Sequence, residues 1–146
     1  MPSTEIRPGN LKQAVPFFGV TDIEASLRFY VDGLGFAIKY RWEPGGRIRW
    51  CWLERDGVVL MLQEFWKDGH PGGAPPGTLG NGMSVCVMCD DAIAVYHESR
   101  ARDLSPARPY VGNNLWVTSL VDPDGYRVDF ESPTDTPEDT VYTDPA

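Results

Sequence analysis

The chain has 146 residues, 42% of them hydrophobic and 23% charged, with a net charge of −8. That length holds about one domain with a real core, and the acidic balance opposes a phosphate backbone as partner. No apolar run nears the roughly 18 residues of a membrane span, and Met1 to Asn10 is polar, unlike a signal peptide.

In chain order, residues 1–12 read as a polar N-terminal arm. Ala14 to Val20 is a short apolar strand, and Thr21-Asp22 offers a helix N-cap. Ile23, Leu27, Tyr30, Val31 and Leu34 then share one helical face, which Gly33 and Gly35 end. Phe36 to Trp42, Ile48 to Glu54 and Val58 to Gln63 read as three strands, with turns at Glu43-Pro44-Gly45-Gly46 and Arg55-Asp56-Gly57. Residues 67–82 hold six glycines and three prolines and read as a loop.

The order then repeats. Met83 to Cys89 is a strand, Asp90 and Asp91 can cap a helix from Ala92 to about Arg102, and a weak strand covers Ala107 to Val111. Leu115 to Val121 and Tyr126 to Glu131 form the last hairpin around Asp122-Pro123-Asp124-Gly125. The segment 132–146 is rich in Pro, Thr and Asp and reads as an extended tail. Asp22 and Asp90 lie 68 positions apart, as do Gly57 and Gly125, which argues for duplication without a gap. The expected fold is α+β: two βαβββ modules, 13–66 and 83–131, in one domain spanning 13–131. A concave mixed-sheet cup stays open, and helices cover the convex face, because one module alone cannot bury its apolar sheet face.

Cys51, Cys86 and Cys89 are too few and too oddly spaced for a disulfide framework or a zinc finger. Cys86-x-x-Cys89 falls on a strand, so these thiols read as apolar packing in a reducing cytoplasm. His70 in the loop and His97 on the second helix read as solvated.

Ala14-Val15-Pro16 through Val20-Thr21-Asp22-Ile23-Glu24-Ala25-Ser26-Leu27-Arg28-Phe29-Tyr30 to Gly33-Leu34-Gly35-Phe36, with Asp122-Pro123-Asp124-Gly125-Tyr126-Arg127-Val128-Asp129-Phe130, resembles the vicinal oxygen chelate superfamily. That superfamily includes glyoxalase I, extradiol dioxygenases, and fosfomycin and bleomycin resistance proteins, and the resemblance covers residues 13–131. Its metal enzymes carry four ligands, and the resemblance places those positions at Val15, Met61, Ser84 and Asp129. Valine, methionine and serine are poor ligands for such ions, so the expected cofactor is none. A slip of two residues along every strand would offer Gln13, Gln63, Cys86 and Glu131 instead.

With the family register, alternation puts Val15 and Phe17, then Val59, Met61 and Gln63, on the cup. It does the same for Ser84, Cys86 and Met88, and for Arg127, Asp129 and Glu131. The third strand has two readings. A bulged turn at Glu54-Arg55-Asp56-Gly57 puts Arg49 and Cys51 in the cup, and the duplication favours it. A two-residue Asp56-Gly57 hairpin puts Trp50 and Trp52 there instead. The candidate ligand contacts are therefore Phe17, Arg49, Trp50, Trp52, Met61, Gln63, Ser84, Met88, Asp129 and Glu131, with Trp66 nearby. Aromatic and thioether groups stack on planar ligands, and the two acids suit a cation.

The resemblance implies a metal-free binding protein similar to bleomycin resistance proteins, homodimeric, with a cup often completed across two chains and the 67–82 loop and the tail from Ser132 within reach of the partner. The alternatives are a metal-dependent lyase, isomerase or dioxygenase of the same fold, and a metal-free acid–base enzyme using Asp129 or Glu131. The expected partners are a small-molecule ligand and a second copy, with neither nucleic acid nor membrane.

Overall fold

The computed structural model describes residues 4–65 and 73–145; Trp66 and His70 lie outside them. The first module runs β1 (Phe17–Val20), α1 (Ile23–Leu27), β2 (Ala37–Trp42), β3 (Trp50–Arg55) and β4 (Val58–Glu64). The second runs β5 (Ser84–Met88), α2 (Ala92–Ala101), β6 (Tyr110–Gly112), β7 (Leu115–Val121) and β8 (Arg127–Pro133). Each makes a four-stranded mixed sheet, in the orders β1-β4-β3-β2 and β5-β8-β7-β6, with β1 parallel to β4 and β5 parallel to β8. The α+β class and the twofold βαβββ order are therefore as expected. No helix among the described residues is long and apolar enough to cross a membrane.

Strand alternation sorts the side chains. Phe18, Val20, Leu60 and Leu62 go beneath the helices with Val87, Val128 and Phe130, and one core joins both modules. Truncating a leucine buried in this way costs about 2–5 kcal/mol. Asp22 caps α1, accepting from the backbone N–H groups of Glu24 and Ala25 at 3.1 and 3.4 Å. The helix then widens into a π turn over Arg28–Gly33, with the Leu34 N–H reaching the Phe29 carbonyl. This changes the expected face. Phe29 and Tyr30 both turn inward, while Leu27 and Val31 are only partly buried. Gly33 stays inside the turn, and the chain leaves the helix at Gly35, where φ is +77°.

Two expectations are corrected. The cap of α2 is Asp91, whose carboxylate accepts from the Ala94 N–H at 2.9 Å. The caps are thus 69 positions apart and the hairpin glycines 68, so the repeat carries a one-residue difference. The β3–β4 connection is a two-residue hairpin: Arg55 faces Val58, and Asp56 and Gly57 have φ of 51° and 82°. Positive φ at both positions is the type I′ signature, which glycine adopts without strain. Its counterpart spans 122–126, between the paired Val121 and Arg127.

The modules are tied by polar contacts as well as by the core. The buried Tyr30 hydroxyl donates to Asp122 at 2.8 Å, and Arg55 reaches Glu98 at 3.0 Å. The tail lies along its own module. Tyr142 N–H donates to the Pro109 carbonyl at 2.8 Å, Val111 N–H to the Thr140 carbonyl at 2.9 Å, and Val141 bridges to Tyr110. The open edge of β6 is thereby covered.

Candidate functional site

The type I′ hairpin decides what the first sheet shows to solvent. Trp50 stands opposite Gln63 and Trp52 opposite Met61, while Cys51 and Leu53 are fully buried on the helix side. Arg49 shares that buried side and is ion-paired to Glu64, so it leaves the expected set of cup residues. Phe17 pairs with Met61 and is 50% exposed.

Three aromatic residues outside the expected set join them. Tyr40 is the ladder partner of Trp52 and Trp42 that of Trp50, which puts both on the open face. The Tyr40 and Trp52 rings meet edge to face with centroids 6.1 Å apart. Phe65 seats on Gly19, where a Cβ would come within 2.2 Å of the ring. Only glycine leaves room for that ring. The signal was present in Tyr40-x-Trp42, an alternating aromatic pair separated by a seven-residue connection from Trp50-x-Trp52.

The second sheet opens a different surface. Ser84, Cys86 and Met88 alternate on one side of β5, and Met88 is 59% exposed. Their ladder partners on β8 are Arg127, Asp129 and Glu131. Asp129 is 5% exposed and accepts from Arg127 Nε at 3.0 Å. That carboxylate in turn raises the Arg127 pKa, so the guanidinium stays charged. One face is thus aromatic and the other carries carboxylates, a thiol and a thioether.

The four positions implied for a metal do not make a site. Val15 and Met61 offer no hard donor, and Ser84 sits opposite Arg127 rather than Asp129. A different group converges instead. Cys86 lies directly across from Asp129, and its thiol sulfur and the Asp129 and Glu131 oxygens all fall within 4.8 Å of one another.

Similarity to known proteins follows the fold. The family model for the glyoxalase/bleomycin resistance protein/dioxygenase superfamily matches residues 11–130. TnmS3, an antibiotic binding protein from Streptomyces sp. CB03234, is 20% identical with a TM-score of 0.65, over 86% of this chain and 98% of its own. A bleomycin resistance determinant encoded on the transposon Tn5 is 23% identical with a TM-score of 0.66, over 84% and 98%. A bleomycin-binding protein complexed with bleomycin is 24% identical with a TM-score of 0.63, again over 84% and 98%. At these identities the likeness is one of fold.

A curated relative, the bicarbonate transport ATP-binding protein CmpC of Synechocystis sp., is 29% identical over 100 residues. Those residues are 68% of this chain, which spans 13% of that protein's length. The family match, in contrast, runs through both βαβββ modules, and the chain belongs to the glyoxalase/bleomycin resistance protein/dioxygenase superfamily.

Proposed function

We propose that this protein binds and sequesters a planar or cationic small molecule without a metal, in a cup that a second copy completes. The observation that carries the reading is the pairing of faces: an open aromatic sheet with Trp50, Trp52, Tyr40 and Phe17, and a second face on which half-buried Glu131 stands beside exposed Met88 and the buried, Arg127-paired Asp129. Exposed apolar surface of this kind marks a binding face. A second copy would set the aromatic face of one chain against the acidic face of the other, enclosing a flat cation between stacking and charge. Fold-level likeness to bleomycin-binding proteins supports the same class of ligand. Three free cysteines suit a cytoplasmic setting.

Titration with bleomycin should quench tryptophan fluorescence saturably, and light scattering should give twice the 16.3 kDa chain mass. Trp52→Ala should weaken binding about tenfold, since a stacked aromatic contact contributes about 0.5–1.5 kcal/mol beyond its buried area. A titration without saturable quenching would remove bleomycin as the ligand, and a monomeric mass would remove the shared cup.

A metal-dependent enzyme of the same superfamily is the second reading, favoured by the Cys86, Asp129 and Glu131 group. Its measure is metal content after purification without chelator. Stoichiometric zinc, nickel, manganese or iron, lost in Cys86→Ser, would replace sequestration with this reading.

A further inference from the structure

Duplication creates two junctions where the end of an edge strand meets a hairpin of the other module. At the first, β1 meets the β7–β8 turn. Phe18 and Tyr126 stack there with centroids 4.2 Å apart and planes 10° from parallel. The Tyr126 hydroxyl donates to the Gly19 carbonyl at 2.9 Å. Thr21 closes the rim on the Asp124 carboxylate, donating from its backbone N–H at 3.1 Å and its hydroxyl at 2.6 Å. This junction is full.

At the second, β5 meets the β3–β4 turn. The offset of 69 carries Phe18 to Val87, Gly19 to Met88 and Thr21 to Asp90. The offset of 68 carries Tyr126 to Val58 and Asp124 to Asp56. Two stacked rings have become two valines, and a threonine–aspartate bridge has become two aspartates. Two carboxylates repel where a hydroxyl and a carboxylate attract, so the rim cannot close in the same way. A cavity of about 310 Å³ results, lined by Val58, Val87, Val95 and Phe130, with Asp56 and Asp90 also on its wall. That is the small end of the range for ligand pockets, about 300–1,000 Å³, and it suits one ring.

The polar groups also correspond. Cys89 N–H donates to the Glu131 carbonyl at 2.9 Å. In a parallel ladder alternate residues bond to one neighbour, so the Met88 backbone points off the sheet edge, as that of Gly19 does. Arg55 lines the cavity too, but its guanidinium is divided between the Leu34 carbonyl at 2.7 Å, Glu98 at 3.0 Å and Asp56 at 3.7 Å. The charged groups on the cavity wall are one base, Arg55, and two acids, Asp56 and Asp90, and the base is already engaged, which favours a cation.

We propose that this second junction binds a single-ring phenol with a cationic tail. Its ring takes the place that Tyr126 fills in the first junction, its hydroxyl donates to the Met88 carbonyl, and its ammonium lies by Asp56 and Asp90. The site is separate from the proposed cup, and its test does not depend on that reading.

The test is a methyl-resolved NMR titration of the full chain with tyramine, with p-cresol and 4-hydroxyphenylacetate as neutral and anionic comparisons. Tyramine should give saturable shifts at the Val58, Val87 and Val95 methyls. The anion should bind about tenfold more weakly or worse, because its carboxylate meets carboxylates. Val58→Tyr supplies the missing ring covalently and should abolish binding, and Val87→Phe should do the same if the first variant fails to fold. Absence of saturable shifts at these valines, equal affinity for amine and acid, or undiminished binding in the filled variants overturns the proposal.

Discussion

Replacing Asp122 with alanine should lower the unfolding free energy by about 3–5 kcal/mol, because hydrogen bonds to a charged group contribute about 1.5–3 kcal/mol each. One carboxylate oxygen accepts from the Tyr30 hydroxyl at 2.8 Å, and the other accepts from the backbone N–H groups of Asp124 and Tyr126 at 2.9 Å each. Tyr30 has no exposed surface, so water cannot replace the lost acceptor. The contact also joins α1's π turn in the first module to the β7–β8 turn in the second. Tyr30→Phe removes one bond and should cost about 1–2 kcal/mol. Urea unfolding of the three proteins checks the order, and a loss under about 1 kcal/mol for the alanine variant would refute the account.

The same residue gives a pH dependence. Burial pushes the Asp122 pKa above its ordinary value, while its bonds from Tyr30, Tyr126 and Asp124 pull it down without cancelling that effect. The folded state therefore holds this proton more tightly than the unfolded chain does. This group's contribution is fully present below the ordinary value of 3.8 and is lost as pH rises through the folded-state value. Asp122→Asn has no such titration. The stability gap between wild type and Asp122→Asn should thus shift in favour of the wild type as pH falls from about 7 to about 4. A constant gap would contradict it.

The second large effect concerns Glu64. Its side chain is 3% exposed, yet it faces two guanidinium groups, with Arg47 at 2.8 Å, and accepts from the Ile23 N–H at 2.9 Å. The carboxylate therefore ties the end of β4 to the start of α1, where negative charge suits the helix dipole. Removing Arg47 alone should cost at most about 1 kcal/mol, because that side chain is half exposed and its ion pair is screened. Removing Arg47 and Arg49 together leaves a buried carboxylate without a cation and should cost about 3 kcal/mol. Thermal unfolding of both variants measures the difference. Equal losses would mean that the two pairs are not shared through Glu64.

Much of this was legible in the chain, for a local reason. Side chains alternate along any strand, so one correct position places the rest. Phe17, Met61 and Gln63, and likewise Ser84, Met88 and Glu131, lie on the faces that alternation assigns them, and Asp129 shares that face but is buried there. The third strand was not legible because both its faces are apolar. In Trp50-Cys51-Trp52-Leu53 either pair can be core, so alternation carries no sign. Duplication favoured the wrong answer, since the two hairpins differ: a two-residue type I′ turn in one module, a five-residue connection in the other. That single difference moves two tryptophans outward and sends Arg49 to Glu64.

The amino-acid sequence alone places two βαβββ units in this chain and assigns the outward faces of β1, β4, β5 and β8, while the family resemblance implies metal positions at Val15, Met61, Ser84 and Asp129. These are properties of patterns read within one segment at a time. Only the tertiary structure decided that Trp50 and Trp52 share a face with Tyr40 and Trp42, that Cys86 meets Asp129, and that one junction is filled by Tyr126 while its twin is hollow. Each of those depends on which residue of one strand stands beside which residue of another. That register is set by turn geometry and by packing between distant segments, and no local pattern encodes it.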